Sequence, residues 1–308
     1  MNILFMGTPN FSVTCLKQLI ADEHKIVGVF TQPDKPKGRG NIITQSAVKI
    51  ESLASGIKVY QPETIKCEQV IRLVEQISPD MIVVVAYGKI LPKQVLAIPT
   101  YGCINIHASL LPKYRGAAPI QWSIINGETQ TGVTSMLMDE GMDTGDILLT
   151  EKTIIDINEN SGDLFKRMSL IGASLLSKTI DGLLNGHITP VKQIESEATY
   201  APMLQKSMCR INWKETAEKI HNLIRGLAPF LYASTIINGK VVRILSSAVC
   251  EWKTGDAGEV VENGETLIIA CADKTAIRLE TLQAEGRRAM PAKEFLLGNR
   301  IEKHLILT

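Results

Sequence analysis

The first half of the chain alternates short β-branched runs with longer amphipathic stretches, and this alternation limits the folds that the chain can adopt. Strands are predicted at residues 2–7, 25–32, 81–86 and 103–107. Helical spacing of apolar residues lies between them, at about residues 11–21, 46–55 and 68–76. A strand, a helix and a further strand form the unit of a parallel sheet with helices on its faces. The pattern therefore predicts a Rossmann-like α/β sheet, with functional groups beyond the carboxyl ends of its strands.

The second half of the chain predicts a different domain. After a helix at residues 119–125, a strand at 132–138 and a long helix at 161–184, the sequence around Pro202 shows no clear period. A helix at residues 216–227 then precedes five short strands, and Asn238-Gly239 and Asn263-Gly264 have the composition of tight hairpin turns. We expect a small antiparallel, OB-like β-barrel at residues 207–308, joined by a linker at 191–206 to an α/β domain at 1–190.

Composition excludes several classes of function. The longest apolar runs are far shorter than the roughly 20 residues of a membrane helix, and no charged region precedes the first of them. The six cysteines show no CxxC pair, which favours a reducing, cytoplasmic compartment and argues against a metal site. The net charge of +1 gives no global indication of nucleic-acid binding. No heptad pattern demands association, so we expect a monomer.

Asn105 and His107 form the first candidate for chemistry. They stand at the end of a predicted strand, where alternation sends both side chains to the same face. An amide N–H and an imidazole N–H can together stabilise the oxyanion that forms when a nucleophile adds to a carbonyl. Taken alone, an Asn-x-His pattern is more typical of a hydrogen-bonded structural histidine.

Longer motifs around this pair change that interpretation. The run NIHASLLPKYRGAAPIQW is followed, after one strand, by MDEGMDTGDIL. Together they resemble the active-site signature of the methionyl-tRNA formyltransferases, which belong to the wider group of enzymes that use 10-formyltetrahydrofolate. FMGTPNFSVTCLKQLI, FTQPDKPKGRG, VVVAYGKILP and, beyond the linker, LQAEGRRAMPAKEFLLG are also similar to that family. The resemblance covers essentially the whole chain.

The resemblance implies roles for particular residues. The catalytic Asn, His and Asp of the family match Asn105, His107 and Asp143. The folate site of the family corresponds here to three stretches of sequence, namely Ser109, Leu110, Leu111 and Pro112, then Tyr87 and Gly88, then Asp139, Glu140 and Gly141. The co-substrate implied is 10-formyltetrahydrofolate, with no metal.

The basic loop at residues 33–40, PDKPKGRG, has the composition of an exposed segment. A planar guanidinium between two glycines suits a phosphate or a base edge. The family uses a basic loop here against the acceptor end of tRNA, which makes Arg39 the leading RNA contact, supported by Lys35 and Lys37. The implied acceptor is methionyl-initiator tRNA, formylated for translation initiation.

Three alternatives stay open from the sequence. The same catalytic residues would serve a transferase for an amino sugar nucleotide or glycinamide ribonucleotide, although neither acceptor requires the second domain or the basic loop. A nicotinamide-dependent oxidoreductase would need a glycine-rich turn after the first strand, whereas the chain has Gly7-Thr8-Pro9 there. An RNA-binding module with a degenerate transferase domain would bind tRNA without transferring a formyl group.

Overall fold

The computed structural model describes residues 1–37, 42–251 and 254–307. The chain divides into two compact units. The first unit comprises Met1–Gly116, Gly132–Thr153 and Phe165–Ala201. The second comprises Ala117–Thr131, Ile154–Leu164 and Pro202–Thr308.

The described residues before residue 190 form nine strands and six α-helices, and one short helix among these lies entirely in the second unit. The strands are β1 (Asn2–Gly7), β2 (Lys25–Phe30), β3 (Lys35–Lys37), β4 (Ile42–Thr44), β5 (Val59–Tyr60), β6 (Met81–Val85), β7 (Cys103–His107), β8 (Gln130–Leu137) and β9 (Ile147–Ile154). The helices are α1 (Asn10–Ala21), α2 (Ala47–Ala54), α3 (Glu68–Ile77), α4 (Lys93–Leu96) and α6 (Ser161–Leu184), while α5 (Pro119–Ile125) belongs to the second unit.

Seven of these strands form one sheet in the order β5-β2-β1-β6-β7-β8-β9. The pairs from β5 to β7 are parallel, which confirms the predicted α/β sheet, and β7 pairs with β8 in the antiparallel sense. All five residues of β6, MIVVV, are buried, as expected for a strand covered on both faces. Apolar packing on both sides therefore fixes β6 and β7, and with them the position of the polar residues that end β7.

Short elements account for most of the differences from the sequence-based expectation. The antiparallel pair β3 and β4 was predicted only as a loop, because its strands have three residues each and include Pro36. The helix α4 has only four residues, too few for a helical period to be visible in the sequence. The long helix α6 and the short helix α5 have the bounds predicted for them.

The second unit contains a sheet of six antiparallel strands. These strands are β10 (Ala233–Ile237), β11 (Lys240–Glu251), β12 (Val260–Asn263), β13 (Leu267–Ala270), β14 (Thr275–Ala284) and β15 (Met290–Pro291). Their order is β10-β11-β14-β13-β12, with β15 beside β14. The helices α7 (Ala217–Leu227) and α8 (Ala292–Gly298) cover a core that includes Trp213, Ile220 and Phe295. An antiparallel C-terminal domain is thus confirmed.

Candidate active site

Asn105 and His107 lie on β7, and side-chain alternation turns them toward the same face of the sheet. Asn105 is 9% exposed and His107 is 6% exposed. Leaving a polar group unpaired at such depths costs about 1–3 kcal/mol, so both side chains need partners. Two loops supply these partners, one after β7 and one after β8.

The loop after β8 is closed by its own side chains. Oδ1 of Asp139 accepts hydrogen bonds from the N–H of Gly141 at 3.0 Å and from Oγ1 of Thr144 at 2.6 Å. Gly145 lies so close to β8 that a Cβ on it would be 1.7 Å from the carbonyl oxygen of Leu137. The loop therefore requires glycine here, and its compact shape determines where Asp143 lies.

Asp143 brings the third predicted catalytic side chain to β7. Its backbone has a φ of 56°, in the left-handed region, and its side chain is 15% exposed. Nδ2 of Asn105 donates to its Oδ1 at 3.4 Å, and Nδ1 of His107 lies 3.6 Å from its Oδ2. Asn105, His107 and Asp143, called the catalytic cluster below after the role predicted for them, are therefore neighbours in the fold although Asp143 follows His107 by 36 positions in the sequence.

The loop after β7 fixes the orientation of the catalytic cluster. Nε2 of His107 donates to the carbonyl oxygen of Tyr114 at 2.9 Å, and because a carbonyl can only accept, Nε2 carries a hydrogen. The N–H of Gly116 donates to Oδ2 of Asp143 at 2.8 Å. A Cβ on Gly116 would lie 2.7 Å from the carbonyl oxygen of Ala201, so only glycine fits. These bonds leave Nδ1 as the ring atom of His107 that faces Asp143.

The residues predicted for folate binding surround this cluster in sequence and are held by their own contacts. Ser109 is fully buried; its Oγ donates to Lys113 O at 2.6 Å, and its carbonyl accepts from Oγ1 of Thr134 at 2.7 Å. The N–H of Leu111 donates to the same Thr134 oxygen at 3.1 Å. Leu110 and Pro112 are half-buried in the same loop. This network gives the SLLP segment one defined shape beside His107.

The other predicted folate residues follow β6 and β8. Tyr87 is 1% exposed, its hydroxyl has no hydrogen-bond partner among the described residues, and burial raises its pKa to about 12. The carbonyl oxygen of Tyr87 accepts from Gln32 Nε2 at 2.9 Å, and Gly88 is exposed with a φ of 82°. Asp139, Glu140 and Gly141 are exposed.

The basic loop is described only in part. Lys35 is exposed on β3, and Lys37 is the last residue of the same strand. Arg39 lies outside the described residues. The base of the loop is held by Asp34, which accepts from Nζ of Lys49 at 2.6 Å and from Nε2 of Gln61 at 2.7 Å. These hydrogen bonds, that from Lys49 first, lower the pKa of the Asp34 carboxyl below its ordinary value.

The described part of the chain has neither a cluster of metal ligands nor a membrane-spanning helix. In residues 1–37, 42–251 and 254–307, no three His, Cys, Asp or Glu side chains are grouped so that they would hold a metal ion. No helix among the same residues combines the length and the apolar character needed to cross a membrane.

Comparison with known proteins decides the family. Residues 1–180 match the formyl transferase family, and residues 203–300 match the formyl transferase C-terminal domain. The methionyl-tRNA formyltransferase of Alkaliphilus oremlandii is 46% identical over 308 residues, which cover 100% of this chain and 99% of the relative. That of Caldanaerobacter subterraneus is 45% identical over 309 residues, with 100% of both chains covered. The chain belongs to the methionyl-tRNA formyltransferase family.

Solved structures share the fold of this formyltransferase family member. WlaRD, a sugar 3N-formyl transferase solved with dTDP and 5-N-formyl-THF, has a TM-score of 0.70 at 24% identity, covering 94% of this chain and 99% of its own. The N-formyltransferase of Helicobacter canadensis, in complex with folinic acid and dTDP-3-aminofucose, has a TM-score of 0.68 at 24% identity, covering 92% and 98%.

Three further residues near the catalytic cluster could not be identified from the sequence. Arg115, Gln193 and Glu195 join the loop of Asp143 to the loop of Gly116 through side-chain hydrogen bonds. Arg115 stands within the signature run, but its sequence context gives no reason to assign it a partner 78 positions away. Gln193 lies in a stretch without helical or strand periodicity.

Proposed function

We propose that the protein transfers a formyl group from 10-formyltetrahydrofolate to the free amino group of methionyl-initiator tRNA. The observation that carries this proposal is the contact of Asn105, His107 and Asp143 in one cluster, in a chain that matches methionyl-tRNA formyltransferases over its full length. An amide donor, an imidazole and a carboxylate provide oxyanion stabilisation and proton transfer without a covalent acyl-enzyme.

The reaction begins with the neutral amine of the methionyl group. Its nitrogen attacks the formyl carbon, a C–N bond forms, and the carbonyl π electrons move to the oxygen. Asn105 Nδ2 and His107 stabilise this oxyanion. Asp143 receives the proton of the attacking nitrogen, directly or through a water molecule, and that proton leaves on the N10 nitrogen when the bond between N10 and the formyl carbon breaks. The products are N-formylmethionyl-tRNA and tetrahydrofolate.

The geometry supports Nδ1 as the reacting atom of His107. Nε2 is committed to the Tyr114 carbonyl at 2.9 Å, whereas Nδ1 faces Asp143 at 3.6 Å, beyond an ordinary hydrogen bond. The Asn105 to Asp143 bond of 3.4 Å is also long. Catalytic hydrogen bonds commonly reach their shortest length only in the complex with substrate, so these distances are compatible with a catalytic role. We therefore assign the oxyanion contact to Nδ1, between Asn105 and Asp143; since Nε2 already carries a hydrogen, His107 acts in this step as an imidazolium that donates from Nδ1.

Folate binding is proposed for three segments around the cluster: Ser109, Leu110, Leu111 and Pro112; Tyr87 and Gly88; and Asp139, Glu140 and Gly141. The fixed SLLP loop supports this role, because a ligand that must present its formyl group to His107 needs a rigid wall beside it. The contact of Tyr87 is assigned to its backbone, since its side chain is buried. Folate-bound proteins of the same fold are consistent with the assignment.

Contact with the tRNA is proposed for the basic loop and the C-terminal domain. Arg39 is the principal contact, with Lys35 and Lys37 in support. The hydrogen bonds that Asp34 accepts from Lys49 and Gln61 anchor the described base of this loop. In the second unit, the exposed Arg243 is in register with Ser234 on one side and with Gln283 on the other.

That row of polar side chains continues at both ends. Arg210 forms a bridge to Ser234, and the turn after β14 carries the exposed residues Arg287 and Arg288. Cations aligned across neighbouring strands suit a series of backbone phosphates. We therefore assign this face of the small sheet to the tRNA.

Formylation of an amino sugar nucleotide is the second candidate function, favoured by the likeness to sugar N-formyltransferases. The test is transfer from 10-formyltetrahydrofolate to methionyl-initiator tRNA, with free methionine and an amino sugar nucleotide as parallel acceptors. We expect transfer to the charged tRNA alone. Transfer to free methionine or to the sugar nucleotide, or to none of the three acceptors, contradicts the proposed substrate. Binding of the tRNA without transfer would indicate a degenerate transferase domain.

A further inference from the structure

Gln193 lies between the loop of Asp143 and the guanidinium group of Arg115. Its Nε2 donates to the carbonyl oxygens of Asp143 at 2.8 Å and Gly145 at 2.7 Å. Its Oε1 accepts from Nη2 of Arg115 at 2.9 Å and from Nε at 3.1 Å. Because a carbonyl only accepts and a guanidinium only donates, the side-chain amide can adopt just this orientation. Both ends of the Gln193 side chain are fully used.

The guanidinium of Arg115, which binds the Gln193 amide, is itself fixed by hydrogen bonds. Its side chain is 1% exposed, and a cation at this depth is costly unless it is paired. Nη1 donates to both carboxylate oxygens of Glu195, at 3.0 and 2.9 Å, while the Glu195 side chain is 72% exposed. The pairing of Arg115 with Glu195 and Gln193 leaves the guanidinium plane one orientation, and that orientation fixes Gln193.

The backbone around Gln193 is fixed as well. Val191 and Ile147 exchange two backbone hydrogen bonds, at 2.8 and 2.9 Å. Farther along, the carbonyl of Thr199 accepts from the N–H of Arg115 at 2.8 Å, and the N–H of Ala201 donates to the carbonyl of Arg115 at 2.7 Å. The segment 191–201 is thus attached at both ends, and Gln193 projects from a rigid support.

We propose that Gln193 is a positioning residue for Asp143 and that Arg115 holds Gln193 in place. The left-handed backbone of Asp143 persists only where its surroundings enforce it, and Gln193 holds the carbonyl groups of residues 143 and 145. The N–H of Gly116 holds the carboxylate at 2.8 Å. Together these contacts fix the carboxylate against Asn105 and His107. This role rests on the proposed function, since it concerns the same site.

The substitution Gln193→Glu separates this role from a purely structural one. Glutamate keeps the acceptor oxygen and strengthens the pair with Arg115 through its charge. An ionised carboxylate cannot donate to the two carbonyl oxygens and repels them, so the substitution acts on the contact with the Asp143 loop. If Gln193 served merely to satisfy the buried Arg115, then a folded Q193E would keep its activity.

The measurement is steady-state formyl transfer to methionyl-initiator tRNA by the full-length protein, together with its melting temperature. For Q193E we expect kcat to fall about 10- to 100-fold, as when a catalytic group moves by on the order of 1 Å, with both KM values within about twofold of the wild type. Gln76→Glu, an exposed change of the same charge on α3, is the control and keeps wild-type kcat. A folded Q193E with wild-type kcat overturns the proposal.

Arg115→Lys provides a second, independent test, which decides the matter if Q193E does not fold. Lysine keeps the positive charge beside Glu195 but lacks the planar fork that holds the Gln193 amide at two points. We expect kcat to fall about tenfold at an unchanged KM. A folded R115K with wild-type kcat contradicts the role of Arg115. An inactive wild type would contradict the proposed function itself, whereas an active wild type with active variants removes only the positioning role.

Discussion

The catalytic cluster and the basic loop belong to the same unit but are built in opposite ways. Asn105 and His107 are buried, and the side chain of Asp143 is 15% exposed. Backbone groups of two loops hold His107 and Asp143. In the described part of the basic loop, Lys35 and Pro36 are exposed. A catalysed reaction needs its reacting atoms held in position, whereas the phosphates of a tRNA can be bound by exposed, charged side chains. Changes in the first region should therefore alter kcat, and changes in the second should alter KM for tRNA.

The largest effect is expected within the catalytic cluster. His107→Ala removes the imidazole whose Nδ1 faces Asp143, and kcat should fall on the order of a hundredfold or more, as for other oxyanion donors. KM for tRNA should stay within about twofold, because the role proposed for His107 is to stabilise the transition state. Steady-state formyl transfer measures both constants. His187→Ala, at an exposed position, should retain wild-type values, and an equally active H107A would remove His107 from the mechanism.

The next effect is expected in the basic loop. Arg39→Ala removes the proposed charge-assisted contact to a phosphate, of about 1.5–3 kcal/mol, so KM for tRNA should rise at least about tenfold at nearly constant kcat. The increase should shrink at high salt, because the contact is electrostatic. Arg72→Ala, on the exposed face of α3, is the control. Unchanged kinetics of R39A with tRNA at low salt would contradict the contact.

A smaller effect is expected at the base of the loop. Asp34→Asn weakens the bonds from Lys49 and Gln61 while keeping the shape of the side chain. KM for tRNA should rise about threefold, the size of a weakened, partly exposed ion pair. Asp181→Asn makes the same change of charge on an exposed face of α6 and should have no effect. Should D34N alter kcat instead, the proposed separation of the two regions would be wrong.

The pH dependence of kcat tests separately whether the base of the basic loop affects the chemistry. The lowered pKa of Asp34 means that its stabilising contribution is complete above its unfolded value of about 3.9 and is lost only as the pH falls through the folded value. Asp34 is therefore ionised throughout an assay between about pH 6 and pH 9. Profiles of kcat for wild type and D34N should superimpose, and a displaced profile would show that the loop base affects the chemistry.

Much of the fold was predictable because its elements carry strong local signals. Continuous apolar runs such as MIVVV indicate strands that are buried on both faces, and α6 shows an uninterrupted helical period over its whole length. The pair β3 and β4 was missed because a strand of three residues that contains Pro36 has no such signal. Short elements depend on their neighbours rather than on their own sequence.

The candidate site divides in the same way. Asn105 and His107 are recognisable from alternation at a strand end, and Asp143 from the motif that contains it. Gln193 contacts two backbone carbonyls and a guanidinium that lies 78 positions away in sequence. Backbone acceptors are present at every residue, so no pattern in the sequence indicates which side chain will bind them. Positioning contacts of this kind become visible only in the folded chain.

The proposed function assigns formyl transfer to an aminoacyl-tRNA to the catalytic cluster. Its most direct test is a single-turnover reaction with excess protein, 10-formyltetrahydrofolate and methionyl-initiator tRNA, comparing the wild type with Asn105→Ala. Single turnover separates the chemical step from product release. We predict rapid transfer by the wild type and a rate lower by on the order of a hundredfold in N105A. Equal rates in the two proteins would contradict the claim.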